Sequence, residues 1–190
     1  MIAAVVLAAG LSRRMGNADK LLLPVNGRPL YAHVLTAGCS SLFGARFAVT
    51  NVPALAAAAR AHGYTVIPSP RASDGMGFSV AAGAAALPGN AQAAVFLNAD
   101  QPFVPEALLN ALVSAWRAHG GIIVPTLNGA PRAPVLFDRR YFAALTALTG
   151  ETGGRSVYRA HMDDVTLLPW ADAAAFRDID TPADYERLTT

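Results

Sequence analysis

Short, almost wholly apolar runs alternate along this chain with longer Ala-rich amphipathic stretches. A run such as AAVFLN at 93–98 has too few polar positions for a sheet with one wet face, and reads as a strand covered on both sides. Runs of this kind predict strands at 3–7, 46–50, 65–67, 93–97 and 122–125. The amphipathic stretches predict helices at 30–40, 53–62, 77–87 and 105–119, with Pro53 and Pro105 at first helical positions, where a missing N–H costs nothing. Strictly alternating strand and helix signals imply an α/β fold: a three-layer sandwich with a mostly parallel, Rossmann-like sheet flanked by helices.

The alternation loosens after Pro131. A strand is predicted at 134–137, helices at 139–148 and 153–161, strands at 165–169 and 176–178, and a closing helix at 182–188. Neither a linker composition nor a fixed-period repeat interrupts residues 1–190. The reading is a single domain with an elaborated C-terminal third.

Composition narrows the class. With 53% hydrophobic and 15% charged residues over 190 positions, the chain can bury a sizeable core and is not of disordered type. A net charge of +2 gives no reason to expect a nucleic-acid partner. Basic groups are concentrated instead at Arg13–Arg14 and between Arg132 and Arg140. The single cysteine, Cys39, excludes an internal disulfide and a cysteine-based zinc site, and reads as a packed thiol. The apolar opening has its arginines after it and no positive segment before it, unlike a secretory signal. No run approaches the ~20 apolar residues of a membrane span. The protein is read as cytoplasmic. His33, His62, His119 and His161 show no metal-ligand spacing, and Trp116 and Trp170 read as packing residues.

Four segments carry candidate chemistry. The first runs from Ala8 to Lys20, where a strand breaks into a Gly-containing loop bearing Arg13, Arg14 and Lys20. Gly10 and Gly16 do not have the spacing of a dinucleotide fingerprint, and Asn17-Ala18 stands where a Walker loop needs Lys and Ser/Thr. What remains is a longer cationic loop able to wrap a triphosphate, or else a solvated basic turn. The second is NADQP at 98–102, which puts Asp100 at the carboxyl end of a strand, as a magnesium ligand or a helix cap. In the third, RDIDTPADY at 177–185, Asp178 and Asp180 flank Ile179, so both carboxylates face one way in an extended segment. Thr181-Pro182 there reads as a helix start. The fourth is DGMGFS at 74–79, a Gly-rich turn into a helix whose N–H groups could meet an anion or a polar base, with Ser79 in its first turns.

Together these segments resemble the MobA-like nucleotidyltransferases. LAAGLSRRMGNADKLLLPVNGRPL is similar to the family signature LAAGxSxRMGxxDKxLLPxxGxPL; DGMGFSVAAG, NADQPFV and DIDTPADY follow in the family's order across nearly the whole chain. The resemblance implies transfer of a nucleotidyl group to an acceptor phosphate with Mg²⁺ as cofactor and pyrophosphate released. By position, Leu7, Ala8, Ala9, Gly10 and Ser79 would line the nucleotide, Arg14 and Lys20 (with Arg13 beside them) would hold the triphosphate, and Asp100 would ligate the metal with Asp178 or Asp180. Ala9 stands where the guanylyltransferase branch has a second glycine, which favours the cytidylyltransferase branch and CTP. The implied acceptor is a molybdopterin-type cofactor, met by Arg132, Ala133 and Pro134, with a molybdoenzyme maturation chaperone as a further partner. Ala133 departs from the His or Asn usual there and offers no side-chain donor. A guanylyl or sugar-phosphate transferase and a non-catalytic nucleotide- or cofactor-binding maturation protein are the alternative readings.

Overall fold

The computed structural model describes residues 1–10 and 19–189. The first strand, β1 (Ile2–Leu7), is apolar throughout, and Ala3 to Val6 are wholly buried. Its alternate residues serve two separate cores: Ile2, Ala4 and Val6 one, Ala3 and Val5 the other. This is the period-2 pattern of a strand covered on both faces. A small hairpin follows, β2 (Pro24–Val25) and β3 (Arg28–Pro29), turned by Asn26 and Gly27 at φ 48° and 74°. An Asn-Gly pair is suited to that turn because both positions need positive φ.

The chain then alternates as the sequence pattern predicts. α1 (Leu30–Gly38), β4 (Ala45–Val49), α2 (Pro53–Ala61), β5 (Thr65–Ile67), α3 (Met76–Ala85), β6 (Ala93–Asn98) and α4 (Glu106–His119) come in order. The C-terminal third adds β7 (Ile122–Leu127), β8 (Ala130–Pro131), β9 (Val135–Asp138), α5 (Phe142–Thr146), α6 (Gly154–Ala160), β10 (Val165–Pro169) and α7 (Pro182–Thr189).

Among the described residues the central sheet runs β10-β7-β9-β6-β1-β4-β5, with β8 paired to β7. Strands β6, β1, β4 and β5 are mutually parallel, as are β7 and β10, and β9 is antiparallel to both of its neighbours. Helices cover both faces. Leu30, Val34, Leu35, Leu55, Leu108 and Leu112 bring α1, α2 and α4 to one core; Val80, Leu145 and Val157 bring α3, α5 and α6 to the other. The three-layer α/β sandwich is therefore as the pattern implies. No helix among the described residues is long and apolar enough to cross a membrane.

The differences are local. Pro53 takes a first-turn position in α2, but Pro105 is extended (φ −81°, ψ 151°) and stands one residue before α4. The helix expected at 139–148 is split: Asp138 accepts from the Arg140 N–H at 3.1 Å and starts a 3-10 turn at Arg139–Tyr141 ahead of α5. No strand forms at 176–178. Asp172 caps a 3-10 turn at Ala173–Phe176, and the extended chain beyond it has one backbone bond to the sheet end, Ile179 N–H to the Asp100 carbonyl at 3.2 Å.

Candidate active site

The strand order reverses at β1. From there the chain builds outward through β4 and β5, then returns to the other flank of β1 as β6. Ligands of open α/β sheets bind beyond the carboxyl ends of the strands at such a point. Here Leu7 is in register with Asn98, the Ala99 N–H donates to the Leu7 carbonyl at 3.0 Å, and the Ala8 N–H donates to the Val49 carbonyl at 2.8 Å. Ala8–Gly10 and Ala99–Asp100 are thereby presented side by side. They form one wall of an open cavity of about 330 Å³. Lys20 and Asp180 stand on a second side, and Ser73, Gly75, Met76, Ser79 and Glu151 close a third.

Lys20 is the charge centre. Asp19 starts a short 3-10 turn by accepting the Leu21 N–H at 3.1 Å, and the Lys20 side chain extends inward from it. Its Nζ lies 2.8 Å from Asp100 Oδ2 and 2.7 Å from Asp180 Oδ1, with 12% of the side chain exposed. Burial alone would lower the ammonium's proton affinity. Asp100, by charge and hydrogen bond, and then Asp180 outweigh it and hold the group above its ordinary 10.5.

Asp180 is delivered by the start of α7. Thr181 Oγ1 accepts the Asp184 N–H at 3.2 Å, while the Asp184 carboxylate accepts the N–H groups of Thr181 and Asp180 at 2.9 and 3.3 Å. This reciprocal cap fixes the entry to the helix. Tyr185 then donates from its hydroxyl to the Pro24 carbonyl at 2.7 Å and docks α7 on the β2–β3 hairpin. Between the two aspartates Ile179 is fully buried, as the alternation requires.

Asp178 has the opposite electrostatics to Lys20. It is exposed as a residue, yet protein packs around its carboxyl, which is pushed up to about 6 from 3.8. Burial is the main cause and the charges of Asp100 and Asp180 add to it, against a hydrogen bond from Gln101 and the attraction of Lys20. The folded state thus resists ionising this group. The resulting loss of stability develops as pH rises from about 4 to about 6 and persists above. Asp178→Asn is predicted to raise the melting temperature of metal-free protein at pH 7.5 by about 2–4 °C, the effect of ~1 kcal/mol in a chain of this size once solvent screening is allowed for. At pH 4 the gain should nearly vanish; an equal gain at both pH values would contradict the assignment.

The α3 side of the cavity is held by close backbone packing. Gly75 has φ 132° and ψ 162°, a conformation essentially reserved for glycine. A β-carbon there would lie 2.1 Å from the Gly150 carbonyl oxygen. The Gly77 N–H donates to that same oxygen at 2.8 Å, and the Phe78 N–H to the Gly75 carbonyl at 3.3 Å. The start of α3 therefore offers a ligand fewer N–H groups than its sequence suggests. Ser79, 6% exposed, lies 3.2 Å from the buried hydroxyl of Ser69, whose backbone is clasped by Asn51 through bonds of 2.9 and 2.6 Å.

Of the residues expected at the site, Leu7, Ala8, Ala9, Gly10, Lys20, Ser79, Asp100 and Asp180 line this one cavity. Asp178 is not among the lining residues but is coupled to them through the charges of Asp100 and Asp180. Arg13 and Arg14 lie outside the described residues. Arg132, Ala133 and Pro134 are not brought into the cavity: Arg132 is exposed beyond β8, its N–H on the Pro125 carbonyl at 2.8 Å, and Pro134 is buried. Sequence pattern misses Ala72, Ser73 and Glu151, which also line the cavity. Glu151 comes from the Gly-rich stretch TGETGG at 149–154, whose glycines are the available signal.

The donors suit a hard divalent cation. Asp100 and Asp180 already converge on one cationic position, that of Lys20 Nζ, and Mg²⁺ or Mn²⁺ is commonly held by one or two carboxylates with phosphate oxygens and water completing the shell. Among the described residues no three His, Cys, Asp or Glu side chains group closely enough to hold such an ion by themselves.

The family profile described as "MobA-like NTP transferase domain" matches residues 4–165. The chain is 28% identical over 198 residues to nicotine blue oxidoreductase of Paenarthrobacter nicotinovorans, covering 98% of this chain and 96% of that protein. It is 33% identical over 142 residues to a molybdenum cofactor guanylyltransferase of Bradyrhizobium sp. (strain ORS 278), covering 69% of this chain and 62% of that one. Among solved structures, Rv0371c of Mycobacterium tuberculosis H37Rv superposes with a TM-score of 0.82 at 27% identity over 98% of this chain and 96% of its own. A manganese complex of the same protein gives 0.75 at 26% identity, over 98% and 97%.

Proposed function

Because the chain belongs to the MobA-like NTP transferase family, we propose that it transfers CMP from CTP to a phosphate-bearing acceptor of the molybdopterin type, with Mg²⁺ as cofactor and pyrophosphate as leaving group. The observation that carries this reading is the convergence of Lys20, Asp100 and Asp180 at the switch point of the sheet, beside the wall formed by Ala8–Gly10. Residues 1–190 work as one transferase domain in this reading.

The base would lie against Ala8–Gly10 and the α3 turn, with the triphosphate directed to Lys20 and to Arg14. An acceptor phosphate oxygen is already ionised, so it attacks the α-phosphorus in line without a general base. The protein's work is then positioning and charge neutralisation. Asp100 and Asp180 would hold the metal, which when bound supplies positive charge to the phosphate oxygens. Lys20 and Arg14 would neutralise the departing pyrophosphate. Arg132, exposed beyond β8, would meet the acceptor's phosphate in this reading, and Ala133 would leave any contact there to backbone groups.

The choice of CTP rests on Ala9. The residue is 6% exposed and lines the cavity, and in this reading its methyl takes up space that a glycine would leave open to a second ring. GTP is the second reading, favoured by the relatives named molybdenum cofactor guanylyltransferase. Pyrophosphate release measured with each of the four nucleoside triphosphates decides between them. CTP is expected to give the highest kcat/KM, and Ala9→Gly to shift the CTP-to-GTP ratio by about tenfold toward GTP, the usual worth of one methyl in a binding pocket. A wild-type preference for GTP would overturn the base assignment and leave the reaction class standing.

A further inference from the structure

We propose that Lys20 is the resident counter-ion of the Asp100–Asp180 pair, and that Lys20 and a divalent metal occupy that pair alternately. The inference deepens the nucleotidyltransferase reading and rests on it for the identity of Lys20's second partner, the triphosphate.

The chain carries fourteen arginines and a single lysine, and that lysine is Lys20. Its Nζ lies 2.8 and 2.7 Å from one oxygen of each carboxylate, with the side chain 12% exposed. Two carboxylates brought this close without a cation repel each other, and a pair of short charge-assisted bonds removes that repulsion. An ammonium is a compact point charge that fits between two single oxygens, whereas a guanidinium is a planar fork.

The same position is the one a metal would need. A dication seated between Asp100 and Asp180 would lie within a few ångströms of the ammonium, and both cannot share the pair without strong like-charge repulsion. Lys20 has a flexible four-carbon stem and can leave, but it gives up two anionic partners when it does. A metal arriving alone offers it none in exchange. A metal arriving with a triphosphate brings new anionic oxygens to the same cavity, so the exchange is favourable only for the pair of ligands. Metal and nucleotide binding are thereby coupled, each raising the affinity for the other. The protein held ready for substrate keeps its carboxylates neutralised and takes up metal alone only weakly, at high concentration.

The test uses Mn²⁺ as the probe, with free ion read by electron paramagnetic resonance. Without nucleotide, Lys20→Met is expected to bind Mn²⁺ at least tenfold more tightly than wild type. Equal or weaker binding by a folded Lys20→Met protein would overturn the exchange. A second measurement needs no variant: the acetylation rate of Lys20 in wild type, followed by mass spectrometry of its peptide. That rate is expected to be low without metal and to rise several-fold at saturating Mn²⁺; a rate indifferent to Mn²⁺ would equally overturn the exchange. Addition of a non-hydrolysable CTP analogue should tighten Mn²⁺ binding to wild type at least tenfold. If no nucleoside triphosphate binds wild type at all, the transferase reading falls, while the two metal-only measurements still decide whether Lys20 and metal exclude each other.

Discussion

Asp100→Ala is expected to reduce nucleotidyl transfer by about a thousandfold or more and to leave the fold intact. The magnitude follows from losing a metal's charge stabilisation at the phosphates, several kcal/mol, with each 1.36 kcal/mol worth tenfold in rate. The fold should survive because Asp100 lies beyond the end of β6 with its side chain 25% exposed, and Lys20 keeps its bond to Asp180. Loss of the Asp100 charge also relieves Asp178, whose ionisation it opposes. Far-UV circular dichroism and melting should therefore match wild type while pyrophosphate release collapses. A folded Asp100→Ala protein within tenfold of wild-type rate would remove Asp100 from the metal site.

Gly75→Ala is expected to lower the melting temperature by about 5–15 °C and to weaken nucleotide binding with it. The residue holds φ 132° and ψ 162°, where a β-carbon costs ~1–3 kcal/mol from backbone strain alone. That β-carbon would also meet the Gly150 carbonyl at 2.1 Å, and a backbone group cannot turn aside as a side chain can. Moving it breaks the Gly77–Gly150 hydrogen bond, ~1 kcal/mol more. In a chain of this length each kcal/mol moves the midpoint by about 2–4 °C. Gly89→Ala is the control: nothing lies within 4 Å of its added β-carbon, and its melting should match wild type. Equal effects of the two substitutions would show that the contact between the α3 turn and the 149–152 stretch does not hold the cavity wall.

Much of the fold is legible in the sequence because the parallel strands are buried on both faces, and a short, continuous apolar run such as AAVFL suits a doubly covered strand. Thr65–Ile67 and Val165–Pro169 coincide with their predicted bounds, and Ile2–Leu7 and Ala93–Asn98 differ by one residue. The split at Tyr141–Phe142 and the missing strand at 176–178 share a cause. In both places a side-chain carboxylate, Asp138 or Asp172, captures a backbone N–H two residues on and starts a 3-10 turn, a local competition that hydrophobic pattern does not register. The candidate site is legible where spacing carries it. Asp178 and Asp180 around a buried Ile179 follow from alternation alone. The pairing of Lys20 with Asp180 spans 160 positions and is created by the docking of α7, so no local pattern contains it. The contact between Gly75 and Gly150 is likewise a product of packing between α3 and the segment after α5.

In the proposed reading the cavity moves the nucleotidyl group of a nucleoside triphosphate, α-phosphorus included, onto an acceptor phosphate. Parallel reactions with α- and γ-³²P-labelled CTP, Mg²⁺ and a molybdopterin-type acceptor test it most directly. The α-label should appear in the acceptor and the γ-label in pyrophosphate. Release of the γ-label as inorganic phosphate, with no α-label in any acceptor, would contradict the account.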